Sequence, residues 1–264
     1  MTASPTDTAL PLWRDPQAPA HVLVTGASRG IGLALVPALL AHPQVARVTA
    51  VARQATRSDA LAALAAGAGD RLQCVDADLT DEQALADLAT LLRGQHPSLE
   101  LVINAAGVLH GDGIRPEKSV TQVRRATLEQ VFALNAFAPI LLAQALLPLL
   151  TGACVFASLS ARVGSIGDNR LGGWYAYRAS KAAQNQLMKT FAIELARRNP
   201  RACCLLLHPG TVDTALSAPF QANVPPEKLF APDRAAAQLL GIIAGATPAD
   251  SGRFIAWDGA DIPW

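Results

Sequence analysis

The chain has 264 residues, of which 51% are hydrophobic and 5% aromatic, and 22 basic against 21 acidic side chains leave a formal net charge of +1. That apolar content supports a large buried core and argues against disorder. The balanced charge and scarce aromatics leave neither the electrostatic footprint nor the stacking surface of a nucleic-acid binder.

Residues 1–20 carry Pro5, Pro11, Pro16 and Pro19 and no periodicity, so they are expected to form an extension draped on the surface or loose. The domain itself is expected over 21–264. His21–Thr25 is a short β-rich run, followed by a glycine-rich turn and an apolar helix over Ile31–Ala41. Val45–Ala52 predicts a second strand, Thr56–Ala68 a helix, Arg71–Val75 a strand, Asp81–Arg93 a helix and Leu99–Ile103 a fourth strand. After a Gly/Pro-containing loop, a long helix is expected over Leu128–Leu150, then a strand over Cys154–Leu159. A glycine-rich loop at 164–173 leads to a helix over Tyr175–Asn199 and a strand over Cys203–Leu207. The Pro-containing stretch Thr211–Phe230 precedes a helix over Asp233–Ala244 and a seventh strand over Arg253–Trp257.

Strands alternating with helices of ten residues or more imply right-handed crossovers and a parallel sheet. The strands are nearly continuous apolar runs, as helices on both faces require. The expectation is one α/β domain: a doubly wound Rossmann fold with a seven-stranded parallel sheet. The uncharged stretch 130–161 is broken by Asn135, Pro139, Gln144 and Pro148, and reads as a buried helix and strand rather than a membrane span. No basic region followed by an apolar run opens the chain, so a cytoplasmic location is expected. Cys74, Cys154, Cys203 and Cys204 sit in strand-like runs without metal or redox spacing, and read as buried thiols. The five histidines are scattered and suggest no metal site.

The first strand runs into Thr25-Gly26-Ala27-Ser28-Arg29-Gly30-Ile31-Gly32. A strand, a glycine turn and a helix N-terminus make a phosphate site, because free N–H groups and the helix dipole favour an anion there. Gly26 permits the tight turn, Gly30 the approach of a pyrophosphate and Gly32 close helix packing. A site for NAD usually places an acid about 20 residues past the glycines. Here that position falls on Ala52, followed by Arg53. With Arg29 in the loop, two guanidinium forks suit the 2′-phosphate of NADP(H). The plainer alternative is two ordinary surface arginines.

Tyr177 and Lys181 are spaced i, i+4, which stacks them on one helix face. An ammonium beside a phenol favours phenolate and makes Tyr177 a candidate proton donor. Alone, the pair is common by chance. Together with TGASRGIG at 25–32, Asp78-Leu79, Asn104-Ala105-Ala106-Gly107, Asn135 and Pro209-Gly210-Thr211-Val212-Asp213-Thr214, it resembles the short-chain dehydrogenase/reductase family over about residues 20–258. The stretch 164–183 is most similar to C-factor and sniffer-type carbonyl reductases.

The resemblance implies an NADPH-dependent carbonyl reductase or the reverse alcohol dehydrogenase. Tyr177 would be the general acid, Lys181 would bind the nicotinamide ribose and depress the Tyr177 pKa, and Asn135 would hold a water. Asp78 and Leu79 would meet the adenine, and Asn104 would brace the central strands. Ala105, Ala106 and Gly107 would lie near the adenosine ribose. Pro209, Gly210, Thr211, Val212 and Thr214 would approach the carboxamide and phosphates. The family's carbonyl-polarising serine would fall on Ala161, which has no donor. Ser160 is the expected replacement if the strand end bends, with Ser158 and Ser165 as alternatives. An NADP-binding regulatory or signalling protein is the second reading. An apolar lid over 212–230, bordered by Trp174 and His110, suggests a small-molecule carbonyl substrate, with no nucleic-acid or membrane partner. The apolar helices 128–150 and 175–199 suggest a homodimer or homotetramer.

Overall fold

Seven apolar runs pair side by side into one sheet in the computed structural model, which describes residues 19–111 and 113–264. The strands are β1 (Ala20–Thr25), β2 (Val45–Ala52), β3 (Leu72–Asp76), β4 (Leu101–Asn104), β5 (Val155–Leu159) and β6 (Cys203–His208), with a two-stranded ribbon, β7 (Thr211–Val212) and β8 (Leu229–Phe230), before β9 (Phe254–Ala256). The sheet order is β3-β2-β1-β4-β5-β6-β9, and every pairing is parallel. Chain direction across the sheet reverses between β1 and β4. At such a switch point two loops part and leave a crevice at the carboxyl ends of the strands.

The helices are α1 (Gly30–Leu40), α2 (Asp59–Ala68), α3 (Glu82–Gln95), α4 (Arg125–Phe132), α5 (Ala138–Leu146), α6 (Tyr175–Arg198) and α7 (Pro232–Gly245). Side chains alternate across a strand. Val22, Val24, Leu101, Ile103 and Leu205 therefore face α1, α2 and α7, while Leu23, Val102, Phe156 and Leu206 face α3, α5 and α6. Both layers are buried, which is why the strands lack a polar face. Two N-caps help fix the ends: Ser58 Oγ accepts from Leu61 N, and Asp81 Oδ1 accepts from Gln83 N at 2.9 Å. Such caps stabilise a helix by about 1 kcal/mol each.

Most boundaries lie within two residues of expectation, and the differences have causes. Ala20, assigned above to the extension, already pairs with β2. The rest of that extension, apart from Pro19, lies outside the described residues. Thr56 does not enter α2, because its N–H and hydroxyl both bond Asp76 at 2.8 and 2.6 Å. The expected long helix starts earlier, at Arg125, and is not uniform: Ala133–Phe137 is a π turn and Leu147–Leu149 a 3₁₀ turn. The stretch from Arg125 to Leu149 is long and apolar enough to cross a membrane by composition. In the fold, its Ala138, Leu142, Ala143 and Leu146 are buried against the sheet.

Candidate active site

The glycine turn leaves β1 at the switch point. Gly26 has φ +67°, and a Cβ there would lie 2.8 Å from Ala106 N and 2.9 Å from Ala105 C. A side chain at Gly26 would thus push the turn away from the end of β4. At Gly32 a Cβ would meet Gly26 O at 2.2 Å, so α1 begins directly against the turn. At Gly30, φ +55°, a Cβ would stand 3.2 Å from the Thr214 methyl, so the loop after β6 packs against the glycine turn. No side chain caps α1, so its first N–H groups are free toward the crevice between Ser28 and Ile31. This cradle fits a pyrophosphate: it has open backbone donors, a positive helix end and no Cβ in the way.

Arg29 and Arg53 are both exposed at the rim, and among the described residues neither side chain makes an ion pair or hydrogen bond. Asp78, also exposed, turns its carboxylate onto Thr80 N and Oγ1, while Leu79 is buried beneath it. Gly107 carries the loop after β4 past Asn135 and Lys181: a Cβ there would stand 3.8 Å from Lys181 Nζ. Beyond β6 and Pro209, Gly210 has φ +79°, and a Cβ there would lie 2.7 Å from the Phe230 ring, so glycine gives the ring passage. Val212 then pairs with Phe230 in the small ribbon.

Tyr177 and Lys181 lie in the first two turns of α6, as the spacing predicts. Lys181 Nζ is 5.9 Å from the centre of the Tyr177 ring. Burial pushes the Lys181 ammonium down to about 7 and the Tyr177 phenol up to about 12. For Tyr177 this direction, caused by burial, runs against the lowering expected from a neighbouring ammonium. Lys181 Nζ donates to Leu159 O at 2.9 Å and to Gln184 Oε1 at 2.8 Å.

Asn135 sits inside the π turn, a distortion that recurs at functional sites. Its side chain is fully engaged. Oδ1 accepts from Val108 N, and Nδ2 donates to Val108 O and Ser180 Oγ. Asn104 braces the centre of the sheet as expected: Oδ1 accepts from Thr25 Oγ1 at 2.7 Å, and Nδ2 donates to Ser158 Oγ at 3.0 Å.

The serine expectation needs correction. Ser160 stays in the ladder, its N–H bonded to Leu207 O, so the strand end does not bend. Its hydroxyl donates to Asn185 Oδ1 at 2.6 Å. Asn185 lies eight residues past Tyr177, about 12 Å along the helix axis. The structure does not bring Ser160 to Tyr177. Ser158 is buried under the sheet network, and Ser165 Oγ accepts from Asp168 N.

Sequence reasoning did not single out Gln184 and Asn185, which read as ordinary polar residues on a helix. It also missed Glu117. Trp174 caps α6 in the left-handed region at φ 51°, a conformation costing about 1–2 kcal/mol for a residue with a Cβ. Glu117 holds it there: Trp174 N donates to Glu117 O at 2.5 Å and Ala176 N to Glu117 Oε2 at 3.2 Å. The paired glycines Gly172-Gly173 before the helix were the available signal. Trp174 packs edge-on to Tyr177 and to Phe220, which in turn meets His110 at 5.6 Å. His110 Nε2 bonds Ala215 O, tying the stretch after β7 across the crevice mouth. Next to this aromatic row is a cleft of about 410 Å³ lined by His110, Ile114, Arg115, Pro116, Pro219 and Phe220.

A parallel sheet with this cradle at its switch point and a Tyr–Lys pair on the adjoining helix defines a nicotinamide-dependent oxidoreductase. Residues 20–225 match the short chain dehydrogenase family model, and the chain belongs to that family. It is 34% identical over 168 residues to C-signal of Myxococcus xanthus, covering 63% of this chain and 93% of that one. Carbonyl reductase Sniffer of D. melanogaster superimposes with a TM-score of 0.83 at 29% identity, covering 93% of this chain and all of that one. An NADPH-bound carbonyl reductase from chicken fatty liver gives 0.82 at 28%, covering 94% and 100%. The chain is thus an NAD(P)-dependent short-chain dehydrogenase/reductase acting on C=O or CH–OH groups, with C-signal and sniffer-type reductases among its relatives.

Proposed function

We propose that the protein is an NADPH-dependent carbonyl reductase, able to run in reverse as an alcohol dehydrogenase, with Tyr177 as the general acid. The observation that carries this reading is the pairing of half-buried Tyr177 with buried Lys181 beside a cradle whose glycines leave room for a pyrophosphate. A nicotinamide cofactor bound there would supply the hydride. Gly26, Ser28, Gly30, Ile31 and Gly32 would hold its phosphates. Arg29 and Arg53 would take the 2′-phosphate, since among the described residues their side chains have no other partner. Asp78 and Leu79 would bound the adenine, and Ala105, Ala106 and Gly107 the adenosine ribose. Pro209, Gly210, Val212 and Thr214 would close over the carboxamide side. The NADPH-bound neighbour supports this choice of cofactor.

Tyr177, held neutral by burial, donates its hydroxyl proton to the carbonyl oxygen as the carbon is reduced. Lys181 places a positive charge beneath the phenolate that forms, and Asn135 locks the loop after β4 against α6. The aromatic row and the apolar cleft favour a medium-sized ketone or aldehyde. Free cysteines Cys74, Cys154, Cys203 and Cys204 accord with a cytoplasmic location. Exposed Phe137 and Ile193 on the long helices accord with a homodimer or homotetramer. A panel of carbonyls offered with NADPH and with NADH tests the function, and mass photometry tests the assembly. The reading requires NADPH oxidation with at least one apolar ketone or aldehyde.

The engagement of Ser160 by Asn185 and the likeness to C-signal favour one second reading: an NADP-binding signalling protein with weak or no catalysis. NADPH bound tightly but consumed with no member of the panel would support it.

A further inference from the structure

We propose that Gln184 is a positioning residue for the Tyr177–Lys181 pair: it fixes the Lys181 ammonium beneath Tyr177 by joining it to a polar row that crosses the three central strands. The inference deepens the carbonyl-reductase reading and rests on it for the role of Lys181.

The row follows from strand register. Thr25 of β1 pairs with Asn104 of β4, and Asn104 with Ser158 of β5, so the three side chains stand abreast on the α6 face of the sheet. Thr25 Oγ1 donates to Asn104 Oδ1, and Asn104 Nδ2 donates to Ser158 Oγ. Gln184 continues the row from the helix. Its Nε2 donates to Ser158 Oγ at 2.8 Å and to Leu159 O at 3.2 Å, and its Oε1 accepts from Lys181 Nζ at 2.8 Å. Every member of this row is buried. The orientation of the Gln184 amide is determined by its partners. Reversed, it would set NH₂ against the ammonium and one carbonyl oxygen against another.

The position itself is unusual in physical terms. Along α6, Gln184 begins the stripe Met188, Phe191, Ala192 and Leu195, which is packed in the core. A leucine would fill that stripe, whereas a buried amide costs free energy unless its groups are bonded. Among the described residues the side-chain hydrogen bonds of Gln184 go to Lys181, Ser158 and Leu159, so the amide is spent on holding the lysine. An ammonium has three donors. Leu159 O and Gln184 Oε1 take two, which leaves one for the crevice and keeps Nζ from swinging away from Tyr177.

Ionisable groups on the elements packed around Lys181 include Tyr177 and Arg178 on α6, Arg162 on the turn 162–164, Cys203, Cys204 and His208 on β6, and Arg125 and Glu129 on α4, with Tyr175, Lys189, Glu194, Arg197 and Arg198 elsewhere on α6. Arg162 is paired with Asp168, and Arg125 with Glu129. The downward push on Lys181 comes from burial alone. The Gln184 acceptor lies 2.8 Å from the ammonium, so a change at residue 184 acts directly on the charged form.

The test is a titration of Lys181 in the cofactor-free protein by NMR, with ¹³C label at lysine Cε. The chain has only four lysines, Lys118, Lys181, Lys189 and Lys228, and Lys181→Met assigns the signal. Gln184→Leu removes the acceptor and should lower the titration midpoint by about one pH unit, the scale of one hydrogen bond to a charged group. Gln184→Glu supplies a carboxylate and should raise it. Ser158→Ala loosens the amide and should lower the midpoint by less. The pH profile of carbonyl reduction should move with the same signs. Midpoints that stay at the wild-type value in Gln184→Glu and Ser158→Ala, or that move the same way in both Gln184 variants, would overturn the proposal. Because the titration needs no turnover, an inactive wild-type protein would refute the carbonyl-reductase reading while the titration still decides the role of Gln184.

Discussion

Lys181→Met should change stability in a way that depends on pH through the window set by the depressed lysine. Lys181 is only 4% exposed, and burial lowers its pKa from 10.5 to about 7. A base whose folded pKa is depressed stabilises the fold fully only above its unfolded pKa, and that contribution is lost as pH falls through the folded value. Below pH ~7 the lysine is charged in both states, and the folded protein carries the whole cost of the buried ammonium. Each unit of pKa is worth about 1.4 kcal/mol, so the full window is worth roughly 4–5 kcal/mol. Methionine removes this cost, but leaves Gln184 Oε1 without the lysine donor and Leu159 O with Gln184 Nε2 in its place. That loss is about 1–3 kcal/mol per group and is independent of pH. The sign of the difference at any single pH is thus less informative than its slope. Urea unfolding of both proteins at pH 6, 7.5 and 9 measures it. The variant should gain most, relative to wild type, at pH 6, and its relative stability should fall by about 1.4 kcal/mol per pH unit above pH 7. A difference that is the same at pH 6 and pH 9 would refute the assignment of a depressed lysine here, and with it the account of how Lys181 is poised.

Tyr177→Phe keeps the ring against Trp174 and removes only the hydroxyl; turnover should fall by roughly 10²-fold or more while NADPH binding by fluorescence titration is retained. In the double variant Ala52→Asp with Arg53→Ala, a carboxylate replaces a guanidinium at the rim, and the ratio of NADPH to NADH affinity should drop by about tenfold or more. Ser160→Ala should lower stability by about 1–3 kcal/mol, because Asn185 Oδ1 loses the Ser160 donor while, among the described residues, Asn185 Nδ2 is already unpartnered. Its turnover should stay within a few-fold of wild type; a drop of 10²-fold, the scale of a lost oxyanion donor, would return Ser160 to the reaction centre.

The fold was readable because its signals are redundant. Each buried strand is an apolar run, and each crossover helix is too long to be anything else, so the order of elements and the parallel sheet follow from spacing. What was not readable lies where a local pattern yields to a distant partner. Nothing near Thr56 says that its hydroxyl will bond Asp76 rather than enter α2. Nothing in Ala133–Phe137 marks a π turn: there is no Gly or Pro, and the extra residue serves to bring Asn135 against Val108 and Ser180. The ribbon of β7 and β8 is two residues wide and depends on Phe230 reaching Gly210, a contact twenty residues apart in sequence.

The candidate site divides along the same line. Glycines report on backbone, and backbone needs are local: Gly26, Gly30 and Gly32 can be placed because a turn feeding a helix requires them where they stand. Hydroxyls and amides report only a capacity to bond, and burial then forces each to find a partner, which sequence spacing does not name. Ser160 and Ser158 share a strand face and differ by one step, yet one is taken by Asn185 and the other by Asn104 and Gln184. Both outcomes follow from where α6 crosses the sheet: Gln184 arrives opposite Ser158, and Asn185 opposite Ser160. Moving the helix by one residue would exchange an amide that meets Lys181 for one that does not. The chemistry of the lysine therefore depends on the packing of α6 on β5 as much as on the Tyr–Lys spacing itself, and substitutions in the stripe Met188, Phe191 and Leu195 that shift the helix should disturb the reaction without touching the crevice.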